Sequence, residues 1–175
     1  MVLKELNDYI INFVGLKPGL HSFEYLITGS FFEAMHSEEE FIPNIKLDLE
    51  LDKQVNFLSL KFQFIGTITT ICDRCADPIE IPIEINENLY FNISDSEKSN
   101  EDEDVLYLST SDYEIDISQF VYEFIMVSIP MKRVHLSDSE GNSRCNSETI
   151  KLLEKNKPKS IDPRWEVLNK LKNEN

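Results

Sequence analysis

The 175-residue chain is 41% hydrophobic and 28% charged, and its formal net charge is −15 at pH 7. This length supports one domain, or one compact domain with a tail, and it is sufficient for a buried core. A chain this acidic repels nucleic acid on average, which disfavours polyanion binding by the protein as a whole. Its three cysteines are too few for a secreted disulfide framework, and they favour a reducing compartment.

The charge is distributed unevenly along the chain. Residues 131–175 contain ten Lys and Arg against seven Asp and Glu, whereas residues 1–130 contain seven against twenty-five. A contact with a polyanion is therefore expected in the last quarter of the chain. The N-terminus has no apolar segment of signal-peptide length, and no apolar run is long enough to span a bilayer. We therefore expect a cytoplasmic protein that makes no contact with a membrane.

The first elements predicted are an antiparallel pair of strands and a short helix. Apolar residues alternate over residues 8–14 and again over 20–27, and Gly19 between them accepts a positive φ in a turn. Residues 30–36 predict a short helix, with Ser30 as its N-cap and Glu33 three positions later.

Three longer strands follow. Residues 45–52 alternate without fault between apolar and charged side chains, which is the clearest strand pattern in the chain. A second strand is expected from residue 55 to 71, weakened or bulged at Gly66. A third is expected over residues 79–93, where Pro82 indicates an edge.

An acidic segment separates these strands from the main helix. Residues 94–104 carry six acidic side chains and one lysine, which predicts a solvated loop. After a short strand at residues 105–108, a helix is expected to begin at Asp116 and to end before Pro130. Its apolar residues recur at helical spacing and predict one buried face. These residues are Ile117, Phe120, Val121, Phe124 and Ile125.

The last quarter predicts two further helices. One spans residues 147–154, capped by Asn146 or Ser147, and the other begins with Asp162 as N-cap and Pro163 at its first position. Many strands followed by helices predict an α+β protein, with an antiparallel, strongly twisted or barrel-like sheet followed by C-terminal helices. Residues 1–130 would form the sheet body with its closing helix. Residues 131–175 would form a basic helical tail, packed on that domain or extending from it.

Cys72 and Cys75 are separated by two residues and lie between two predicted strands. Such a pair can bind one tetrahedral metal ion, and zinc would require two further ligands. His135 and Cys145 are the candidates, so we expect the chain to bring them back to this pair. Two alternatives remain open from the residues alone. One is a redox dithiol, although no helix N-terminus follows the pair to activate a thiolate. The other is a turn with free thiols.

No catalytic pattern is recognisable in the chain. It contains no serine–histidine–aspartate arrangement, no glycine-rich phosphate loop and no HExxH motif, so we expect a protein that is not an enzyme. The basic tail gives a limited case for RNA binding, because cationic side chains contact phosphates and an aromatic ring can stack on a base. The candidate residues for RNA or partner binding are Lys132, Arg133, Arg164 and Trp165.

Several motifs together resemble one protein family. They are a hairpin turn at residues 15–19, a Cys-x-Arg-Cys motif followed by Pro78, an acidic loop, a helix ending at Ile129-Pro130 and a second cysteine region. From about residue 20 onwards the chain resembles the YceD family of large-subunit ribosomal RNA accumulation proteins. Residues 130–135 and the Asp-Pro-Arg-Trp sequence at 162–165 resemble a variant of that family.

The resemblance implies a cytoplasmic, non-enzymatic ribosome-biogenesis factor that supports accumulation of large-subunit ribosomal RNA. Its partner would be that RNA or a basic large-subunit ribosomal protein. Many family members carry a second close cysteine pair after the proline-ended helix, whereas this chain has only Cys145, with His135 upstream. An alternative function is a zinc-binding or redox regulatory protein that depends on Cys72 and Cys75.

Overall fold

Alternating apolar residues form the long central strands of the computed structural model. The structure describes residues 6–39, 41–94, 105–137, 139, 141 and 143–156. The chain divides into two compact units. The first contains the described residues of 1–71 and 78–133, and the second contains those of 72–77 and 134–175. The division predicted at residue 130 stays a prediction.

The first unit is built on a five-stranded sheet. Its strands, in the order in which they lie side by side, are β2 (Gly19–Ile27), β3 (Ile42–Lys53), β4 (Phe57–Ile71), β5 (Pro78–Ile93) and β6 (Val105–Leu108). Two short strands, β1 (Ile10–Ile11) and β7 (Ile115–Asp116), form a separate antiparallel pair. Helices α1 (Gly29–Ala34) and α2 (Ser118–Ser128) belong to the same unit, and α3 (Ser147–Lys155) belongs to the second.

The predicted α+β class is confirmed, with two differences in the sheet. Strands β2 to β5 are antiparallel neighbours, but β5 and β6 are parallel. Among the described residues the sheet is open, with β2 and β6 at its two ends, so the barrel-like form is not found there. β6 is a short strand that follows the acidic segment 95–104. Those acidic residues lie outside the described part of the chain.

One face of the sheet forms the core of the first unit. The apolar residues that alternate along β3 and β4 are almost completely buried, and each is worth about 1.5–3 kcal/mol relative to an exposed position. The predicted apolar face of α2 packs here. The Phe124 ring meets Phe62 and Phe64 at centroid distances of 5.4 and 6.3 Å. The stripe predicted from helical spacing is therefore confirmed as core packing.

Gly66 does not interrupt β4. The pairing of β4 with β3 and with β5 continues in a single register through this residue, so the predicted weakening or bulge is wrong. A side chain is excluded at this position because a Cβ on Gly66 would lie 2.2 Å from the Asn44 carbonyl oxygen. Pro82 faces Thr67 of β4, in a part of β5 that precedes its pairing with β6. Its missing N–H is tolerated because only one side of β5 is paired there in the described part of the chain.

The predicted pairing of residues 8–14 with 20–27 is wrong. Residues Asn7–Tyr9 form a 3-10 turn, and β1 then pairs with β7, while β2 pairs with β3. The alternation did mark which side chains of this segment are buried, because Tyr9, Ile11 and Phe13 all lie in the core. A period of two indicates which residues face the core, but it does not identify the partner strand.

The helix caps differ partly from those predicted. Thr28, not Ser30, precedes α1, and no side chain caps that helix. α2 begins at Ser118, whose backbone N–H donates to the Asp116 carboxylate at 2.8 Å. In α3 the side chain of Asn146 accepts from the backbone N–H groups of Glu148 and Thr149, as an N-cap does. The helix predicted from residue 162 lies outside the described residues.

Lys53 fixes the loop that precedes β2. Its ammonium donates to the carbonyl oxygens of Phe13 and Leu16 at 2.8 Å and to that of Val14 at 3.3 Å. These three contacts use all the donors of the group. Replacing Lys53 with Met should therefore lower the free energy of unfolding by about 1–3 kcal/mol, measured by urea denaturation. The matched change of exposed Lys61 to Met should cost less than about 0.5 kcal/mol. Equal losses in both variants would contradict this role.

Candidate metal centre

Residues 72–77 form a tight turn that presents two thiols. The Cys72 N–H donates to the Asp77 carbonyl, and the Ala76 N–H donates back to the Cys72 carbonyl, both at 2.9 Å. Ala76 has a φ of 60°, a left-handed conformation that closes the turn. The two backbone bonds hold Cys72 and Cys75 on the same turn, both of them buried. The local spacing of the pair therefore suffices to orient half of a metal site.

An antiparallel bridge closes the gap between the other two candidate ligands. Ser137 pairs with Ser143, and His135 and Cys145 lie two residues outside this bridge, one on each side. The bridge brings the two segments together, and a ring nitrogen of His135 lies within 4.8 Å of the Cys145 sulfur. This explains how a ten-residue spacing can supply two ligands to one ion.

The four side chains converge in the second unit. One potential ligand atom from each of Cys72, Cys75, His135 and Cys145 lies within 4.8 Å of the others. The Cys72 and Cys145 sulfurs are 3.9 Å apart, and the Cys75 sulfur is 3.5 Å from His135 Nδ1. The juxtaposition expected from the sequence is therefore found.

These distances fit a tetrahedral zinc ion. Bond lengths of about 2.3 Å to sulfur and about 2.0–2.1 Å to nitrogen, combined with the tetrahedral angle, require sulfurs about 3.8 Å apart. The same geometry requires about 3.5–3.6 Å between sulfur and nitrogen. Three thiolates and one imidazole are also a known structural set for zinc, with no position left for a substrate. The donor set and its spacing thus suit a closed structural site.

The electrostatics of the turn favour the thiolate form of Cys72. Burial is the largest influence and opposes ionisation, but backbone N–H groups of Arg74, Cys75 and His135 point at the sulfur. Together with the Cys75 thiol, they outweigh burial and lower the pKa of Cys72 to about 6. The deprotonated sulfur that a metal requires is therefore available at neutral pH.

Arg74 and Ser143 support the cluster, a role that no pattern in the sequence indicates. The Arg74 guanidinium lies 3.4 Å from the Ser143 hydroxyl oxygen, to which it donates, and this oxygen accepts from the Cys145 N–H at 3.2 Å. The contact connects the turn to the segment that carries Cys145. No sequence signal marks Ser143, because its position depends on the bridge to Ser137.

The candidate residues for RNA or partner binding are not brought together in the described part of the chain. Lys132 is exposed. The Arg133 guanidinium is paired with Glu39 at 3.2 Å and lies 5.9 Å from the centre of the Phe41 ring. Arg164 and Trp165 lie outside the described residues. A role for these four residues in binding stays a prediction.

The fold and the cluster define a class of protein. It is an α+β protein with an open sheet in its first unit and a cluster of three cysteines and a histidine in its second. Among the described helices, none has the length and apolar character needed to span a membrane. The family model for the large ribosomal RNA subunit accumulation protein YceD matches residues 60–172. This match covers more than half of the chain, which belongs to the YceD family. Searches of curated proteins and of solved structures gave no match.

Proposed function

We propose that the protein is a non-enzymatic ribosome-biogenesis factor of the cytoplasm that supports accumulation of large-subunit ribosomal RNA. Membership of the YceD family is the observation that carries this proposal. The four converging side chains of the second unit do not argue for catalysis, because a closed metal site of this kind serves structure.

The charge of the first unit favours a basic ribosomal protein as the direct partner. On the face of the sheet opposite the core, acidic side chains outnumber lysines, and the lysine at position 46 is already paired with Asp48 at 2.8 Å. An acidic surface attracts a cationic partner and accelerates its association. The acids on this face are Glu24, Asp48, Glu50, Asp52, Glu80 and Glu84, and the lysines are Lys46 and Lys61.

Direct binding of RNA is the alternative mechanism. It would use Lys132, Arg133, Arg164 and Trp165 in the basic part of the chain. Arg133 would first have to leave its ion pair with Glu39, which has a cost although the pair is partly exposed. This contact favours the protein partner over RNA.

A zinc-dependent or redox regulatory protein is the second candidate function. The lowered pKa of Cys72 and its 3.9 Å distance from the Cys145 sulfur support it, because a nearby thiolate and thiol can be oxidised together. We favour a structural zinc ion over a redox dithiol, because four potential ligands converge here and a dithiol requires only two thiols.

Depletion of the protein tests the proposed function. Large-subunit ribosomal RNA should fall relative to small-subunit RNA, measured by quantitative electrophoresis, and the protein should sediment with precursors of the large subunit. The full chain should restore the RNA. Absence from those precursors, together with unchanged RNA after depletion, would overturn the proposal. Recovery of the large-subunit RNA only under reducing conditions would favour the alternative of a redox regulatory protein.

A further inference from the structure

One end of the five-stranded sheet is a long free edge. β2 pairs with β3 over its whole length, from Gly19 opposite Lys53 to Ile27 opposite Ile45, and no other strand pairs with it in the described part of the chain. An unpaired edge offers backbone N–H and C=O groups to a further strand. Proteins usually protect such edges with proline or lysine, and β2 contains neither.

A cavity of about 340 Å³ lies beside this edge. Its size is within the roughly 300–1,000 Å³ range of ligand pockets. It is formed within the first unit, by β2, the 3-10 turn and the beginning of α1. Its lining includes Asp8, Tyr9, Glu24, Tyr25 and Phe31.

The cavity combines aromatic walls with carboxylates. The rings of Tyr9 and Tyr25 stack at a centroid distance of 4.9 Å, and Phe31 lies 4.8 Å from Tyr9. The negative charge of Asp8 faces the Tyr25 phenol and, together with the larger effect of burial, raises its pKa to about 12. Aromatic faces and carboxylates both attract cations.

Glu24 adds a second negative charge at the same place. Its carboxylate is 3.5 Å from the Lys46 ammonium, a longer contact than the 2.8 Å between Lys46 and Asp48. Its side chain is 73% exposed, so the carboxylate is accessible to an approaching cation. An anionic ligand such as RNA would be repelled by both Asp8 and Glu24.

We propose that β2 and the adjacent cavity bind an extended basic segment of a partner protein, which adds a strand to the sheet and inserts one arginine side chain into the cavity. Backbone pairing along the edge would supply affinity, and the carboxylates and aromatic rings would select the cationic side chain. This inference rests on the proposed function and specifies how its basic protein partner is recognised. A second copy of the chain is a poorer occupant, because two molecules with a net charge of −15 repel each other.

Binding of a synthetic peptide tests the proposal. The probe is a nine-residue, fluorescently labelled peptide that alternates threonine and valine and has one central arginine. Its matched control carries neutral citrulline at the centre. Fluorescence anisotropy with the full chain should show at least about tenfold weaker binding of the citrulline peptide. A third peptide, N-methylated along one edge to prevent backbone pairing, should not bind.

Two single changes in the protein locate the binding site. Asp8→Asn and Glu24→Gln alter exposed side chains, and each should weaken binding of the arginine peptide by about tenfold. Glu87→Gln removes an exposed carboxylate from the other side of β5 and should leave binding within about twofold of wild type. Circular dichroism should show that all three variants are folded. Equal binding of the arginine and citrulline peptides, or equal losses in all three variants, would overturn the proposal.

Two further measurements separate the possible failures. Self-association through β2 that is detected by sedimentation and competes with the peptide would assign the edge to a second copy, and would overturn the proposal. Peptide binding by a protein that is absent from ribosomal precursors, and whose depletion leaves large-subunit RNA unchanged, would support this site and refute the proposed function. A third outcome is that the peptide does not bind, while Asp8→Asn and Glu24→Gln leave association with those precursors unchanged. This outcome would refute only this site.

Discussion

Replacing Cys145 with Ser is expected to lower zinc affinity by at least about a hundredfold and to unfold the second unit. Loss of supporting residues around a metal site already costs 10–100-fold in affinity, and loss of a ligand should cost more. We expect the second unit to depend on a bound metal because, among its described residues, only the three cysteines are buried. α3 contributes no buried residue. With no apolar core among these described residues, we expect metal binding to supply much of the folding free energy.

Zinc content and structure should be measured on the same samples. Mass spectrometry should find one zinc ion per wild-type chain, and competition with a chromophoric chelator should give the change in affinity. Amide resonances of the second unit should lose dispersion in Cys145→Ser, while those of the first unit are retained. His135→Asn should behave similarly.

The exposed His36 provides a matched control for the histidine ligand. Its φ is 54°, a left-handed conformation that asparagine tolerates, so His36→Asn should preserve both the fold and the zinc content. Full zinc occupancy and wild-type affinity in Cys145→Ser would contradict the site. A wild-type protein without zinc, purified without chelators and unable to bind added zinc, would also contradict it.

Replacing Gly66 with Ala is expected to lower the free energy of unfolding of the first unit by about 3 kcal/mol or more. The new Cβ would lie 2.2 Å from the Asn44 carbonyl oxygen and 2.6 Å from the Ile45 Cα. Both are backbone atoms of β3, so rotation of a side chain cannot relieve the clash. Relief requires β3 and β4 to separate in the middle of the sheet, which is a severe form of overpacking.

Gly29→Ala is the matched control for this change. No atom lies within 4 Å of a Cβ at Gly29, and the residue begins α1. Alanine has the higher helix propensity, so this variant should be within about 1 kcal/mol of wild type. Urea denaturation followed by circular dichroism measures both variants. A similar small change in Gly66→Ala would show that the close approach of β3 and β4 is not required.

Local sequence patterns determined the elements of the fold. The alternation at residues 45–52 predicted β3, and the helical spacing from Ile117 to Ile125 predicted the buried face of α2, because a period of two or 3.6 records which side chains leave water. The spacing of Cys72 and Cys75 predicted half of a metal site for a similar reason. Both thiols lie on one short turn, whose geometry depends on few residues.

The partners of these elements were decided by the tertiary structure. β1 pairs with β7 instead of β2, and β5 pairs in parallel with β6, although neither choice is recorded in the pattern of a single strand. The pattern of β4 alone marked Gly66 as a weak point of the strand. The need for a glycine at this position comes from its partner in β3, more than twenty residues away along the chain. A residue that serves a neighbouring strand carries no local signal of that role.

The cysteine cluster shows both kinds of information. Residue chemistry alone suggested that His135 and Cys145 return to Cys72 and Cys75, since zinc requires four ligands and few other candidates were present. The bridge between Ser137 and Ser143, which aligns the second pair, became visible only in the folded chain. The cavity beside β2 had no sequence signal, because Asp8, Glu24 and Phe31 become neighbours only when the turn, the strand and the helix pack together. The sequence thus determined which chemistry is available in this protein, and tertiary packing decided where it converges, because convergence depends on contacts between segments that are distant along the chain.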